Sequence, residues 1–256
     1  MFNFNSIYKF YYEWWKNIDK TIFILIEKQS KNDLAILNTK NFYIKKKIQL
    51  ENFLPKIIKV NTHIDNNFLK RINNPYFNTE GNKENLKFIL EIAKILTLKK
   101  DLLVKTLKKF KGLKYRQEII FQSKKLTIIN DSKATTFSSS VSLLKSLTNV
   151  YWIVGGQAKK GDKLLLSKKN CKNFKAYIFG TNKNFFISKI KRLMNYESFF
   201  DLKSLIKKLS YELKKDKKMR HKTILFSPSA ASFDNFKNFE KRGEYFNQLV
   251  KKYINV

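Results

Sequence analysis

The sequence predicts an α/β protein whose core is a mostly parallel sheet covered by helices on both faces. Two observations carry that prediction. From Gly112 onward, short apolar runs alternate with helical stripes, the order that builds parallel strands joined by crossover helices. Several of those runs stop on small or turn-forming residues, at Gly155-Gly156, Gly180 and Ser227-Pro228.

The elements follow in order. The first eighty residues are rich in Asn, Lys and aromatic side chains and carry weak periodicity; a short strand over Asp33 to Asn38 (DLAILN) is the clearest feature there. Asn66 to Gly81 (NNFLKRINNPYFNTEG) is turn-rich and reads as a connection. Leu86, Ile89, Leu90, Ala93 and Leu96 then recur at the spacing of one helical face. Asp101 is placed to cap a second helix, Leu102 to Phe110, which Gly112 would end. Gln117 to Phe121 and Leu126 to Asn130 suit a strand pair, Ser138 to Leu147 a helix, and Val150 to Val154 a buried strand. Ala176 to Phe179 is another strand, and Leu202, Leu205, Ile206, Leu209 and Leu213 form a second helical stripe. Thr223 to Phe226 closes the set of strands, before a terminal helix from about Asp234. In such a sheet, ligands bind beyond the carboxyl ends of the strands.

Charge narrows the partners. Lys and Arg number 53 against 20 Asp and Glu, a formal net charge of +33, while 43% of residues are hydrophobic and 15% aromatic. That apolar content excludes a disordered basic tail. Only five of the basic residues are arginine: Arg71, Arg116, Arg192, Arg220 and Arg242. Arginine, with its planar fork, is the better reader of phosphates and bases, so its scarcity argues against nucleic acid as the partner. The single Cys171 allows no intrachain disulfide and suits a reducing compartment. Thr21 to Ile26 is far shorter than the roughly 20 residues of a membrane-spanning helix, and the N-terminus lacks the order of a signal peptide. A soluble, cytoplasmic protein is expected.

Four loops fall where ligands bind: Gly112 to Glu118 (GLKYRQE), Asn130 to Thr136 (NDSKATT), Gly155 to Asp162 (GGQAKKGD) and Ser227 to Gly243 (SPSAASFDNFKNFEKRG). Glycines let backbone approach a ligand, and hydroxyls and lysines bind carboxylate or phosphate. Singly each has a plain structural reading, a tight turn or a helix entry. His63 and His221 stand in no metal-binding frame, and no serine-hydrolase elbow is present.

In this order the four loops resemble those of the Mur ligases, on the D-glutamate-adding branch. The scarce residues Arg116, Asp131, Asp162, Asp234, Phe239, Glu240 and Gly243 hold that family's spacing, and the resemblance reaches back faintly to Ala35 to Asn38. It implies a Rossmann-like C-terminal domain over 112–256, preceded over 1–111 by an incomplete α/β remnant of the central, ATPase domain. It also implies ATP-dependent activation of a carboxylate with magnesium, then amide formation with D-glutamate on UDP-N-acetylmuramoyl-L-alanine. By motif, Lys159 and Thr135 would meet one carboxylate of D-glutamate, and Ser232 with the region of Phe239 the other. Asn82 and Asn85 would approach adenine, Asp131 the ribose and Arg116 the phosphates, with Lys133 also on the nucleotide side.

The departures are as informative. None of the seven glycines is followed by lysine, so the family's phosphate loop is missing, as are the UDP-binding domain and the central magnesium ligands. The family's modified lysine would fall near Lys20 or Ile22, where the match fails. Tyr115 stands for the usual His, Gly81 for another and Thr136 for Asn. The chain is expected to be a fragment, its N-terminal part a separate polypeptide or lost at a sequence boundary, or else a decayed product, and not to ligate alone. The competing reading is a basic module that reuses the fold to bind nucleic acid or an anionic surface.

Overall fold

The computed structural model describes residues 23–61, 63–215 and 221–255. Lys20 and Ile22 lie outside them. The chain divides into two compact units. One takes in the described residues up to Asn73 with Lys83–Lys105; the other takes in Asn74–Asn82 with the residues from Thr106 onward. Among the described residues no helix is long and apolar enough to cross a membrane.

In the first unit, β1 (Leu34–Leu37) pairs in parallel with β2 (Lys56–Lys59), Ala35 lying against Ile57. Ala35, Phe23 and Ile26 form a small core against which Leu37, Ile44, Phe53 and Ile57 pack. Helix α1 (Phe42–Leu50) starts where the Asn41 side chain accepts from the amides of Tyr43 and Ile44. The stretch expected to be a connection contains a helix, α2 (Asn66–Ile72). Asp65 caps its start, Asn73 ends it in a left-handed conformation, and only Phe68 and Ile72 are buried, too few to write a stripe. A 3-10 turn over Pro75–Asn78 precedes α3 (Glu80–Ile95), which carries Leu86, Ile89, Leu90 and Ala93 of the expected stripe; Leu96 falls in the turn beyond the helix and is exposed. Helix α4 spans Lys100–Lys109, so Asp101 lies in its first turn rather than at its cap, and its carboxylate takes a bond from Arg71 at 2.9 Å.

The second unit is built on a six-stranded sheet in the order β3-β4-β8-β5-β6-β7. Its strands are β3 (Glu118–Gln122), β4 (Leu126–Asn130), β5 (Val150–Gly155), β6 (Lys175–Phe179), β7 (Asn195–Ser198) and β8 (Lys222–Phe226). Only β3 runs antiparallel, on β4; the remaining pairs are parallel. The strands alternate strictly between two cores. Ile129, Trp152, Val154, Ala176, Ile178 and Leu225 face one side, under Phe137, Leu143 and Leu144 of α5 (Phe137–Ser146) and Phe186 and Ile190 of α6 (Lys183–Ile190). Ile128, Ile153, Tyr177, Phe179, Ile224 and Phe226 face the other. That side is covered by Leu205, Ile206 and Leu209 of α7 (Leu202–Lys215) and Phe246 and Leu249 of α8 (Phe239–Tyr253). The expected mostly parallel sheet with helices on both faces is therefore present. The terminal helix begins at Phe239, five residues beyond the expected Asp234, because Asn238 accepts from the Lys241 amide and caps it there.

Strand order places the ligand edge. From β4 the chain crosses over β8 to reach β5, and from β7 it returns on the opposite face to β8. The loops after β4, β5 and β8 therefore meet where the winding reverses, the position at which such sheets bind ligands.

Candidate functional site

Each loop at this edge is tied to the others. After β5, the chain passes Gly155 and Gly156 at φ of 143° and 123°. A Cβ at Gly155 would collide with the Phe179 carbonyl, so only glycine lets the two backbones approach this closely. Gly155 N donates to Pro228 O at 3.0 Å, and Gln157 and Ala231 exchange backbone bonds of 3.0 and 3.1 Å, fastening the β5 loop to the β8 loop. Further along, the Asp162 carboxylate accepts from Phe137 N at 2.7 Å, fastening the β5 loop to the first turn of α5. Asp162 is thus a helix cap supplied from a distance.

The β4 loop closes the ring. Asn130 is fully buried and donates to Gly243 O and Asn247 Oδ1 of α8, while its carbonyl Oδ1 accepts from Ser132 N. Asp131 accepts from Ser227 Oγ at 2.7 Å and from Gln117 N at 3.1 Å. Burial drives its carboxyl up to about 7, against the pull of those two donors and of the Arg116 charge. Gln117 Oε1 in turn accepts from Asn82 Nδ2 at 2.8 Å, and the same amide donates to Tyr76 O at 2.7 Å. Asn82, Gln117, Asp131 and Ser227 therefore form one hydrogen-bonded chain.

Arg242 lies beneath all of this, 0% exposed. Its guanidinium donates from Nε to Ser132 Oγ (3.1 Å), from Nη1 to Ala231 O (3.1 Å), and from Nη2 to Ser132 O (2.7 Å) and Ala230 O (2.9 Å). Burial lowers its pKa to about 10, with the Asp234 charge opposing the shift. Burial likewise pushes the Asp234 carboxyl up. Next to Arg242, Gly243 faces the Tyr115 ring, where a Cβ would clash with Cδ1. The loop motif around Arg242 and Gly243 is thus a fastener for the other loops.

The nine residues singled out in the sequence divide by how their side chains are used. Thr135, Lys159 and Ser232 stand on the three mutually fastened loops, and their hydroxyls and ammonium hydrogen-bond to nothing among the described residues. Lys159 is exposed, Thr135 half-buried and Ser232 buried. Phe239 opens α8, its carbonyl accepting from Ser132 Oγ at 2.8 Å, and Lys133 Nζ sits 3.9 Å above its ring centroid. Asn82 and Asp131 are committed to the chain of bonds above. Arg116 is exposed on the turn before β3, while Asn85 is exposed on α3, in the first unit. Sequence reasoning missed Arg242, Asn130 and Gln117 as parts of the site. Scarcity could have pointed to Arg242, one of only five arginines; nothing local marks the other two.

Fold and loops together define a doubly wound α/β protein whose candidate site lies at a topological switch point. Comparison with curated proteins makes the class specific. UDP-N-acetylmuramoylalanine–D-glutamate ligase of Wolbachia sp. subsp. Brugia malayi is 35% identical over 175 residues, covering 68% of this chain and 35% of that protein. The protein of that name in Francisella philomiragia is 36% identical over 67% of this chain and 41% of its own length. The one in Rickettsia bellii is 30% identical over 88% and 54% respectively. The chain belongs to the Mur ligase family, on the branch of these D-glutamate ligases. It spans about a third to about half the length of these relatives. No protein-family model matches it. A solved UDP-N-acetylmuramate-alanine ligase from Thermotoga maritima overlays at a TM-score of 0.46 and 13% identity, over 68% of this chain and 38% of that one, too loosely to compare residues.

Proposed function

We propose that this chain is the amino-acid-presenting part of an ADP-forming ligase that adds D-glutamate to UDP-N-acetylmuramoyl-L-alanine in cell-wall precursor synthesis. On this reading residues 112–256 are the C-terminal domain of that enzyme and 1–111 the end of its central domain. The observation that carries it is the set of three uncommitted side chains, Thr135, Lys159 and Ser232, on loops held rigidly to one another. A dicarboxylate needs donors and a cation on adjoining elements, and these residues offer two hydroxyls and an ammonium on loops fastened to one another. Lys159 and Thr135 take one carboxylate; Ser232 and the first turn of α8 at Phe239 take the other, leaving the amine free to attack.

In the family's reaction, ATP turns the acceptor carboxylate into an acyl phosphate that the amine displaces. The residues of this chain fit only the edge of that chemistry. Arg116 and Lys133 offer cations to phosphate; the ribose side falls to Asp131, whose carboxyl is already held by Ser227 and Gln117 and would have to share those bonds. Asn82 has both amide hydrogens spent, so it acts on the nucleotide side through Gln117 and Asp131. No Gly-Lys phosphate loop occurs in the sequence, and no group of three or more His, Cys, Asp or Glu converges among the described residues. Phosphoryl transfer and magnesium binding are therefore assigned to no residue here; on this reading they belong to the remainder of the enzyme, on this chain or on a separate N-terminal polypeptide.

Calorimetric titration of the purified chain with D-glutamate tests the reading. Saturable heat is expected that L-glutamate does not reproduce and that Lys159→Met weakens by about tenfold or more. A flat titration at every concentration would refute it.

A further inference from the structure

The guanidinium of Arg242 is a full positive charge removed from water, and every group it bonds is neutral: the Ser132 hydroxyl and the carbonyls of Ser132, Ala230 and Ala231. Among the described residues no carboxylate forms an ion pair with it. Asp234 is the acid whose charge it feels, at longer range. A buried, unpaired cation is costly, and folds keep one only where something offsets it.

The surroundings say what that is. Ser132 precedes Lys133 in the β4 loop, and Ala231 precedes Ser232 in the β8 loop. A Cβ at Gly156, in the β5 loop, would lie 3.1 Å from Arg242 Nη1 and 2.8 Å from Ala231 O. The guanidinium thus sits under the junction of the three loops that carry Thr135, Lys159 and Ser232, in a medium of low polarity where its field is weakly screened.

We propose that Arg242 is a positioning residue that selects a doubly anionic amino acid: its charge is compensated when the ligand's second carboxylate enters the site above it. It touches the loops and not the ligand, and it acts through the potential it sets there. This rests on the proposed D-glutamate site.

The experiment compares D-glutamate with the singly charged D-glutamine by calorimetry on wild type, Arg242→Gln and Arg242→Lys, with thermal unfolding recorded for each. Arg242→Gln should weaken D-glutamate about tenfold while D-glutamine changes less than about twofold, and Arg242→Lys should restore most of the preference. Equal losses for both ligands, with lysine no better than glutamine, would reduce Arg242 to a scaffold and overturn the proposal while the site survives. If wild type binds neither amino acid, the reading of the site fails and the proposal falls with it. Should neither variant fold, Lys159→Met decides. A dianion preference of about threefold or more that persists without Lys159 supports Arg242, and its disappearance overturns the proposal.

Discussion

Lys133 Nζ stands 3.9 Å from the centroid of the Phe239 ring, joining a residue proposed for the nucleotide side to one proposed for the amino acid. The contact links the β4 loop to the first residue of α8, and Ser132 Oγ reinforces it by donating to Phe239 O. On the proposed roles, a lysine that rests on an aromatic face must leave it to reach a phosphate, which would couple the two ligand sides.

That coupling has a measurable size. A cation–π contact at a partly exposed site is worth about 0.5–1 kcal/mol, or roughly two- to fivefold in affinity. Phe239→Leu should therefore tighten inorganic tripolyphosphate by that factor in a calorimetric titration. An unchanged affinity would mean that Lys133 is not recruited from the ring.

The close approach at the end of β5 makes a second, purely structural prediction. Gly155→Ala drives a methyl into the Phe179 carbonyl at a φ of 143°, which side chains rarely adopt. Gly161→Ala, at a φ of 80°, meets nothing within 4 Å. The first should cost about 3 kcal/mol or more and the second about 1 kcal/mol, read from denaturant unfolding. Equal costs would mean that backbone φ alone sets the penalty.

What the sequence reveals, and what it hides, follows from where the information is stored. β4, β5, β6 and β8 are buried on both faces, so they read as apolar runs. β7 (NYES) is an edge strand with three exposed residues, and α6 mixes buried Phe186 and Ile190 with exposed Asn184, Ser188 and Lys189, so neither writes a clear pattern. The site divides likewise. Its loops are legible because glycine, serine and aspartate punctuate them. The bonds of Arg242 to Ser132 span 110 positions and those of Asn130 to Gly243 span 113, so only the folded chain reveals them.

Asp131 makes stability depend on pH. Its carboxyl titrates near 7 in the folded chain, against 3.8 for an unburied one, because burial disfavours the charge. Between those values the folded state keeps a proton that the unfolded state has released. The carboxyl's contribution is therefore complete below about pH 4 and lost as pH rises through 7, a loss of about 2–4 kcal/mol. Asp131→Asn stays neutral throughout, so its stability relative to wild type should climb from pH 4.5 to pH 7.5 in urea unfolding. A constant difference across that range would mean that Asp131 is ionised in the fold.

The bond from Phe137 N to the Asp162 carboxylate gives one side chain two jobs that substitution can separate. As a cap, it satisfies an amide of the first turn of α5 and sets a negative charge against the helix's positive end. As a tether, it fixes the loop that carries Lys159, since Asp162 N also donates to Lys159 O at 3.2 Å. Asp162→Ala removes both and should cost about 1 kcal/mol of stability. It should also weaken D-glutamate, because Lys159 must then be ordered on binding. Asp162→Asn keeps an acceptor for Phe137 N and loses only the charge, so affinity should stay near wild type while stability falls by a few tenths of a kcal/mol. Titrations in which the two variants lose affinity alike would assign the effect to charge at the site rather than to the tether.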